Sequence, residues 1–110
     1  MRACFSELTA VCPRAGLPDF YTMKLAYGPK KRVMELKASK LYLFSFRNVG
    51  IYHEELINEV FEDFKRATKP RWLFIRLKVN SRGEINTIVK RYWSGAEGCL
   101  VERNQSLRVL

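Results

Sequence analysis

The stretch HEELINEVFEDFKRAT, residues 53–68, has the clearest structural pattern in the chain. Its apolar residues recur at helical spacing and predict one amphipathic face: Leu56, Ile57, Val60, Phe61 and Phe64. Acidic residues occupy the first turn, and Lys65 and Arg66 the last, which suits the helix dipole. Pro70 follows and cannot continue a helix. The pattern predicts an amphipathic helix over residues 53–68.

Alternating segments on both sides of this helix predict antiparallel strands. Before it, FYTMKLAY (20–27) alternates, and a Gly-Pro turn would return the chain as a second strand over RVMEL (32–36). After it, RWLFIRLKVN (71–80) and EINTIVKRYW (84–93) flank a Ser-Arg-Gly turn and predict a hairpin. Two of these segments place their apolar residues on one face: Tyr21, Met23, Leu25 and Tyr27 in the first, and Leu73, Ile75, Leu77 and Val79 in the third.

The segment SKLYLFSFRNV (39–49) fits either a buried strand or a second helix, with Ser39 as its N-cap and Gly50 as its end. The order of elements predicts an α+β domain over residues 1–110, with two helices on one face of a four-stranded antiparallel sheet (ββααββ). Residues 94–110 have little periodicity and form a tail of uncertain structure. The open edges of such a sheet favour assembly with other subunits.

The composition of the chain limits the classes of function that it can have. The net charge of +9 fits a phosphorylated ligand or a polyanion, but it also fits a merely well-solvated surface. Three cysteines without a C-x-x-C spacing, and a single histidine, argue against a disulfide framework and against a metal centre. No apolar run approaches the roughly 20 residues that span a bilayer. We expect a cytoplasmic protein without a membrane partner.

Four residues are candidates for catalysis or base recognition. Cys12 follows a valine and precedes a proline in ELTAVCPRAGLPDF (7–20), and Arg14 is a positive neighbour of the kind that activates a thiolate. The alternative is a small buried apolar residue. Asp19 is either a turn residue or a general acid facing Cys12. His53 and Glu54 are either ordinary residues of a helix start or a pair that recognises a purine-like base.

Lys37 and Lys40 are three residues apart and share one face if the segment is helical. They form either an exposed basic face or a pair of ammonium groups that grip a phosphate, with Arg82 as a third partner. The chain contains no glycine-rich phosphate loop, so side chains would have to hold a nucleotide.

Four segments together resemble one enzyme family: SELTAVCPRAGLPDF, ELKASKLYLFSFRN, YHEE and NSRGEI. They are similar, in the same order, to the nitrile reductases that convert 7-cyano-7-deazaguanine to its aminomethyl product in queuosine biosynthesis. The octet ELKASKLY (35–42) resembles the cofactor signature of that family, with only Ser39 departing from it. The resemblance implies the tunnelling fold, whose ββααββ units assemble into homo-oligomeric rings with sites between subunits.

The resemblance also implies residue roles. Cys12 would add to the nitrile carbon and form a covalent thioimide, with Asp19 as the proton donor. His53 would assist the proton transfers, while Glu54, together with Glu35 from a neighbouring subunit, would bind the deazaguanine edge.

The cofactor implied by the resemblance is NADPH, whose phosphates would be held by Lys37, Lys40 and Arg82. Two successive hydride transfers would complete the reduction of the nitrile to the amine. The glutamate at position 84 departs from the family pattern and would place a carboxylate near this phosphate site.

Two alternatives stay open. The related amidinotransferase of archaeosine synthesis shares the fold and the thioimide-forming cysteine, but it acts with ammonia on tRNA that already carries the nitrile base. The net charge fits a tRNA partner, whereas the signature over residues 35–42 favours the reductase. A non-catalytic RNA-binding module would explain the charge but not the arrangement of Cys12, Asp19 and His53.

Overall fold

The computed structural model describes residues 1–82, 85–95, 101–103 and 108–109. Four long strands and two helices follow the order ββααββ, and two short strands come after them. The elements are β1 (Arg2–Val11), β2 (Pro18–Gly28), α1 (Leu36–Phe44), α2 (His53–Thr68), β3 (Trp72–Arg82), β4 (Ile85–Ser94), β5 (Val101–Arg103) and β6 (Arg108–Val109). Strands β1 to β4 form one antiparallel sheet in chain order, and β5 and β6 both pair with β4. This confirms the predicted α+β class.

The first hairpin differs from the prediction. RVMEL (32–36) is not a strand, and β2 pairs instead with β1 on one side and with β3 on the other. With both edges of β2 occupied, no returning strand can pair there. The strand β1 was not predicted from the sequence, because a register shift between Phe5 and Leu8 interrupts its alternation of buried and exposed residues.

The ambiguous segment is a helix that begins earlier than expected. Glu35 is the N-cap of α1, and its carboxylate accepts hydrogen bonds from the backbone N–H groups of Lys37 (3.2 Å) and Ala38 (2.6 Å). Ser39, predicted as the N-cap, lies within the first turns, where its hydroxyl donates to the carbonyl of Glu35. A carboxylate reaching back to free N–H groups satisfies the helix start as a serine would.

The helix predicted over residues 53–68 is confirmed as α2, and its apolar stripe is buried against the sheet. The chain leaves the helix at Lys69, which takes a left-handed conformation (φ 45°) just before Pro70. The predicted apolar faces of β2 and β3 are also confirmed, because the eight residues assigned to these two faces all belong to the core. This core fixes α2 across the sheet, with His53 at one end and Thr68 at the other.

Two short strands belong to the segment that was predicted as a tail of uncertain structure. The strands β5 and β6 extend the sheet beyond β4. Gly83 of the predicted turn and Glu84, the first residue of the strand predicted after it, lie outside the described residues, as does Cys99.

Candidate active site

The turn between β1 and β2 holds Cys12. The N–H of Cys12 donates to the carbonyl of Leu17 (2.8 Å), and the N–H of Gly16 donates to the carbonyl of Cys12 (2.9 Å). Gly16 has a φ of 69°, a conformation that glycine adopts without strain. The side chain of Cys12 is half-buried, whereas Cys4 is exposed on β1. The thiol therefore sits on a backbone fixed by two hydrogen bonds and is still reachable from solvent.

The loop between α1 and α2 brings His53 to this turn. The N–H of Val11 donates to the carbonyl of Val49 (2.9 Å), and the N–H of Ile51 donates to the carbonyl of Val11 (3.0 Å). These two bonds hold the loop against the residue that precedes Cys12. Because α2 begins two residues after Ile51, its first residue, His53, is placed beside the turn.

The hydroxyl of Tyr21 marks the centre of this region. It is hydrogen-bonded to Nδ1 of His53 at 2.7 Å, and the two rings meet edge to face with centroids 5.5 Å apart. Burial raises the pKa of Tyr21 well above its usual range, and the charges of Asp19, Cys12 and Glu54 add to the shift. Asp19 precedes Tyr21 by two residues on β2, and Glu54 follows His53 in α2, so both carboxylates lie in the region of the hydroxyl.

Four of the predicted site residues thus lie at one end of the sheet. Asp19 is half-buried near the start of β2 and pairs with Ala10 of β1, while Glu54 is exposed in the first turn of α2. Tyr21, at the centre of the group, was not among the predicted site residues. One sequence signal pointed to it, because residues two apart on a strand share a face and Tyr21 follows Asp19 by two.

Glu35 lies at the other end of the sheet. The residue before it, Met34, donates its N–H to the hydroxyl of Tyr27 (3.0 Å), which fixes the start of α1 near the end of β2. Tyr27 is nine positions along β2 from Pro18, the partner of Val11, which corresponds to about 30 Å of strand. One chain therefore does not bring Glu35 to its own Cys12.

The predicted phosphate-binding residues are divided between the two ends. Lys37 and Lys40 are exposed on α1, and Nζ of Lys40 lies 5.6 Å from the ring centroid of Phe44. Neither lysine forms a salt bridge with another described residue, so both cations are available to an anionic ligand. Arg82 ends β3 beyond Val79, the partner of Tyr21, and therefore lies at the Cys12 end. Its side chain is outside the described part of the molecule.

Two clefts lie away from Cys12. One of about 420 Å³ separates α1 from α2 and is lined by Glu35, Ala38, Ser39, Tyr42, Asp63 and Phe64, among others. The hydroxyl of Tyr42 donates to Asp63 there, and burial together with this bond raises the pKa of Tyr42. A basic cleft of about 450 Å³ is lined by Lys30, Lys31, Arg32, Thr68, Lys69 and Arg71.

Two further features are absent from the described part of the chain. It contains no group of three or more acidic, histidine or cysteine side chains that could hold a metal ion. Nor does any of its helices combine the length and apolar character needed to cross a bilayer.

The fold and the grouped side chains define a class of protein: ββααββ domains that hold a half-buried cysteine, a carboxylate and a histidine at one end of the sheet. Residues 18–96 match the family model described as QueF-like protein. The chain belongs to this family. The resemblance drawn from the sequence motifs is thereby confirmed at the level of the family.

Two relatives and one solved structure illustrate the match. The chain is 46% identical over 94 residues to a protein of Thermomicrobium roseum, a match covering 84% of this chain and 73% of that protein. It is 45% identical over 86 residues to a protein of Prochlorococcus marinus (strain NATL2A), covering 78% of this chain and only 61% of the relative. Both are named NADPH-dependent 7-cyano-7-deazaguanine reductase.

The solved structure is that of the archaeosine synthase QueF-Like in the apo form, with a TM-score of 0.78 and 26% identity. The match covers 88% of this chain and 94% of that chain, so the two share nearly the whole fold.

Proposed function

We propose that this protein is an NADPH-dependent nitrile reductase that converts 7-cyano-7-deazaguanine to 7-aminomethyl-7-deazaguanine in tRNA modification. The observation that supports this most is the placement of Cys12. Its thiol is reachable on a fixed turn beside Asp19, His53 and Glu54, in a chain 45% and 46% identical to proteins named for this activity. We keep the predicted cytoplasmic location as part of the proposal.

The first step is covalent. The Cys12 thiolate adds to the nitrile carbon, a C–S bond forms, and the C≡N bond becomes C=N. The nitrogen gains electron density in this step and takes a proton, which Asp19 donates. The product is a thioimide, whose C=N accepts a hydride more readily than the nitrile does. The hydrogen bonds that fix the backbone of Cys12 hold the thiol ready for this attack.

The second stage is reduction. When bound, NADPH supplies a hydride in each of two steps, so that one nitrile and two protons yield one amine. After the first hydride the C–S bond breaks, the Cys12 thiolate leaves, and the imine that remains takes the second hydride. Lys37 and Lys40 fit the phosphates of this cofactor, because both cations are exposed and unpaired with any described carboxylate. Arg82 would join them from the end of β3 in a different copy of the chain, since its own α1 begins at the opposite end of the sheet.

The base would be recognised from two sides. Glu54 is exposed in the first turn of α2, where its carboxylate can accept hydrogen bonds from the donor edge of the deazaguanine. The second carboxylate, Glu35, would come from a neighbouring copy, because about 30 Å of strand separates it from the Cys12 end of its own chain.

Exposed apolar side chains support this assembly. Leu17, Phe20, Val49 and Tyr52 are exposed around the Cys12 end. Val33, Leu36 and Leu41, each more than 60% exposed, lie on and just before α1. These two apolar patches occupy different parts of the chain. If the first patch of one copy packs against the second patch of the next copy, the copies are joined head to tail. Head-to-tail contacts generate a closed ring when the rotation between copies closes.

The decisive experiment is a spectrophotometric assay of NADPH oxidation with the free nitrile base. We expect oxidation of two NADPH for each base consumed, and a product whose mass is that of the amine. No oxidation under conditions in which the protein is folded would contradict the reductase assignment.

A second candidate is the amidinotransfer reaction, in which ammonia attacks a thioimide formed on tRNA. Two observations favour it: the similarity to the apo archaeosine synthase and the basic cleft that contains Lys30, Lys31, Arg32, Lys69 and Arg71. If the protein ignores NADPH but consumes ammonia on tRNA that carries the nitrile base, this candidate replaces the reductase. Salt-sensitive RNA binding without any adduct would instead favour a non-catalytic RNA-binding module.

A further inference from the structure

The hydroxyl of Tyr21 is buried at the centre of the active site, and the proposed reaction assigns it no role. Tyr21 lies on β2 between Leu8 of β1 and Val79 of β3, and its side chain is completely buried. A residue held between two neighbouring strands has little freedom to move. Its hydroxyl nevertheless reaches the one histidine of the chain, His53, at a distance of 2.7 Å from Nδ1.

We propose that Tyr21 is a positioning residue that donates its hydroxyl proton to Nδ1 of His53 and thereby holds the neutral imidazole as the Nε2–H tautomer. The inference rests on the proposed function only for its consequence in catalysis. The hydrogen bond itself is a property of the two side chains.

The direction of the hydrogen bond follows from burial. A buried phenol must place its proton on an acceptor, and the described contact of this hydroxyl is with Nδ1 of His53. If the imidazole donated instead, the proton of Tyr21 would be left unpaired, which costs free energy, because the hydroxyl has no other hydrogen bond to a described residue. A tyrosine that donates to Nδ1 leaves the ring proton on Nε2.

The surroundings keep the phenol protonated. Burial raises the pKa of Tyr21, and the negative charges that face it from Asp19, Cys12 and Glu54 raise it further. The phenol therefore keeps the proton that it donates up to a higher pH than an exposed tyrosine does. The three acidic groups come from the β1–β2 turn, from β2 and from α2.

The consequence concerns the atom on the other side of the imidazole. Nδ1 faces the buried hydroxyl, whereas the ring as a whole is only half-buried. An Nε2–H group is then a fixed hydrogen-bond donor for the nitrogen that gains electron density when the Cys12 thiolate adds. A donor that is already oriented need not reorganise during the reaction.

The test uses the single histidine. Its two ring nitrogens give the only imidazole signals in the ¹⁵N NMR spectrum of the 110-residue chain. We expect a protonated Nε2 and a hydrogen-bonded, unprotonated Nδ1. In Tyr21→Phe, which keeps the ring contact with His53, the Nδ1 signal should move to that of an unprotonated nitrogen without a donor.

The matched control is Tyr27→Phe. Tyr27 is buried on the same face of β2, but its hydroxyl accepts the N–H of Met34 at the other end of the strand. This variant should leave both His53 signals unchanged. A protonated Nδ1 in the wild type, or equal His53 signals in the wild type and Tyr21→Phe, would overturn the proposal.

Kinetics test the consequence separately. Given an active wild type, we expect Tyr21→Phe to lower kcat by about tenfold while the KM for the nitrile base stays within about twofold. An unchanged kcat would overturn the role in catalysis. The NMR result decides the hydrogen bond even if the wild type does not reduce the nitrile, so failure of the proposed function and failure of this inference are distinguishable.

Discussion

The Cys12 end and the Glu35 end of the sheet are built in different ways. At the Cys12 end, backbone hydrogen bonds tie a turn to a loop, and a buried tyrosine is bonded to His53. At the Glu35 end, the start of α1 presents exposed lysines and exposed apolar side chains to solvent. The first region is organised within one chain, whereas the second offers charged and apolar groups to something outside the chain. A reaction that needs both regions requires a second copy.

The largest expected effect tests the Cys12 end. Cys12→Ala removes the attacking sulfur, so we expect loss of all measurable turnover and no mass increase when the protein is incubated with the nitrile base. Intact-protein mass spectrometry and NADPH oxidation measure the two effects. The matched control is Cys4→Ala, which removes an exposed thiol of β1 and should keep both adduct and turnover. An adduct that persists in Cys12→Ala would show that Cys12 is not the nucleophile.

The second prediction joins the two ends. Glu35→Ser removes the carboxylate but leaves a residue that caps helices well, so α1 should persist while activity is lost. Mixing this inactive variant with inactive Cys12→Ala, followed by joint unfolding and refolding, should restore up to about a quarter of the wild-type rate, since random mixing gives that share of sites with both residues intact. No recovery in verified mixed oligomers would mean that each site is built from one chain.

A smaller effect tests the lysines of α1. Lys37→Ala removes an exposed cation, so we expect the KM for NADPH to rise by about tenfold, with little change in kcat. Steady-state kinetics at two salt concentrations measure the change, which should shrink at high salt. Lys78→Ala removes an equally exposed lysine from β3 and should leave the KM unchanged. Equal effects of the two substitutions would mean that only net charge matters.

The smallest effect compares one tyrosine from each region. Folding raises the pKa of Tyr21 and of Tyr42 above their ordinary value of 10.0. A raised pKa means that the folded state favours the protonated phenol, so this stabilisation is complete below pH 10 and is lost as pH rises above it. Each tyrosine then contributes a slope of about 1.4 kcal/mol per pH unit to the free energy of unfolding.

Urea unfolding between pH 8 and pH 11 measures this slope. Tyr21→Phe and Tyr42→Phe should each flatten the alkaline decline by a similar amount, because the pKa of each tyrosine in the folded protein is raised beyond this pH range. If the free energy of unfolding falls with rising pH as steeply in both variants as in the wild type, the prediction is wrong.

Local patterns predicted much of the fold. The 3.6-residue periodicity of α2 and the alternation of β2 and β3 identified the buried faces, because burial against one layer selects apolar residues at a fixed spacing. The strand β1 escaped detection because its register shift breaks that spacing. RVMEL (32–36) was predicted as a strand, but it cannot pair with β2, because β1 and β3 already occupy both edges of that strand.

Only some of the residues of the candidate site were predicted, and the reason is similar. Cys12, Asp19, His53 and Glu54 lie in motifs that the sequence displays directly, and the structure places them at one end of the sheet. Tyr21 looked like one more apolar residue of an alternating strand, since nothing in its own segment reveals a histidine 32 residues away. The cap formed by Glu35 was also missed, because its carboxylate acts on N–H groups that exist only once α1 begins at Leu36.

The sequence by itself determined the class of the fold, the buried face of α2 and the residue types available to the proposed site. The class of the fold and the buried face follow from interactions between residues that are close in sequence, and the spacing of such residues can be read directly from the sequence. Only the tertiary structure decided that the hydroxyl of Tyr21 meets Nδ1 of His53 and that Glu35 stands at the opposite end from Cys12. Both depend on strand register and on the path of α1 and α2 across the sheet, which are set by long-range packing and backbone hydrogen bonds.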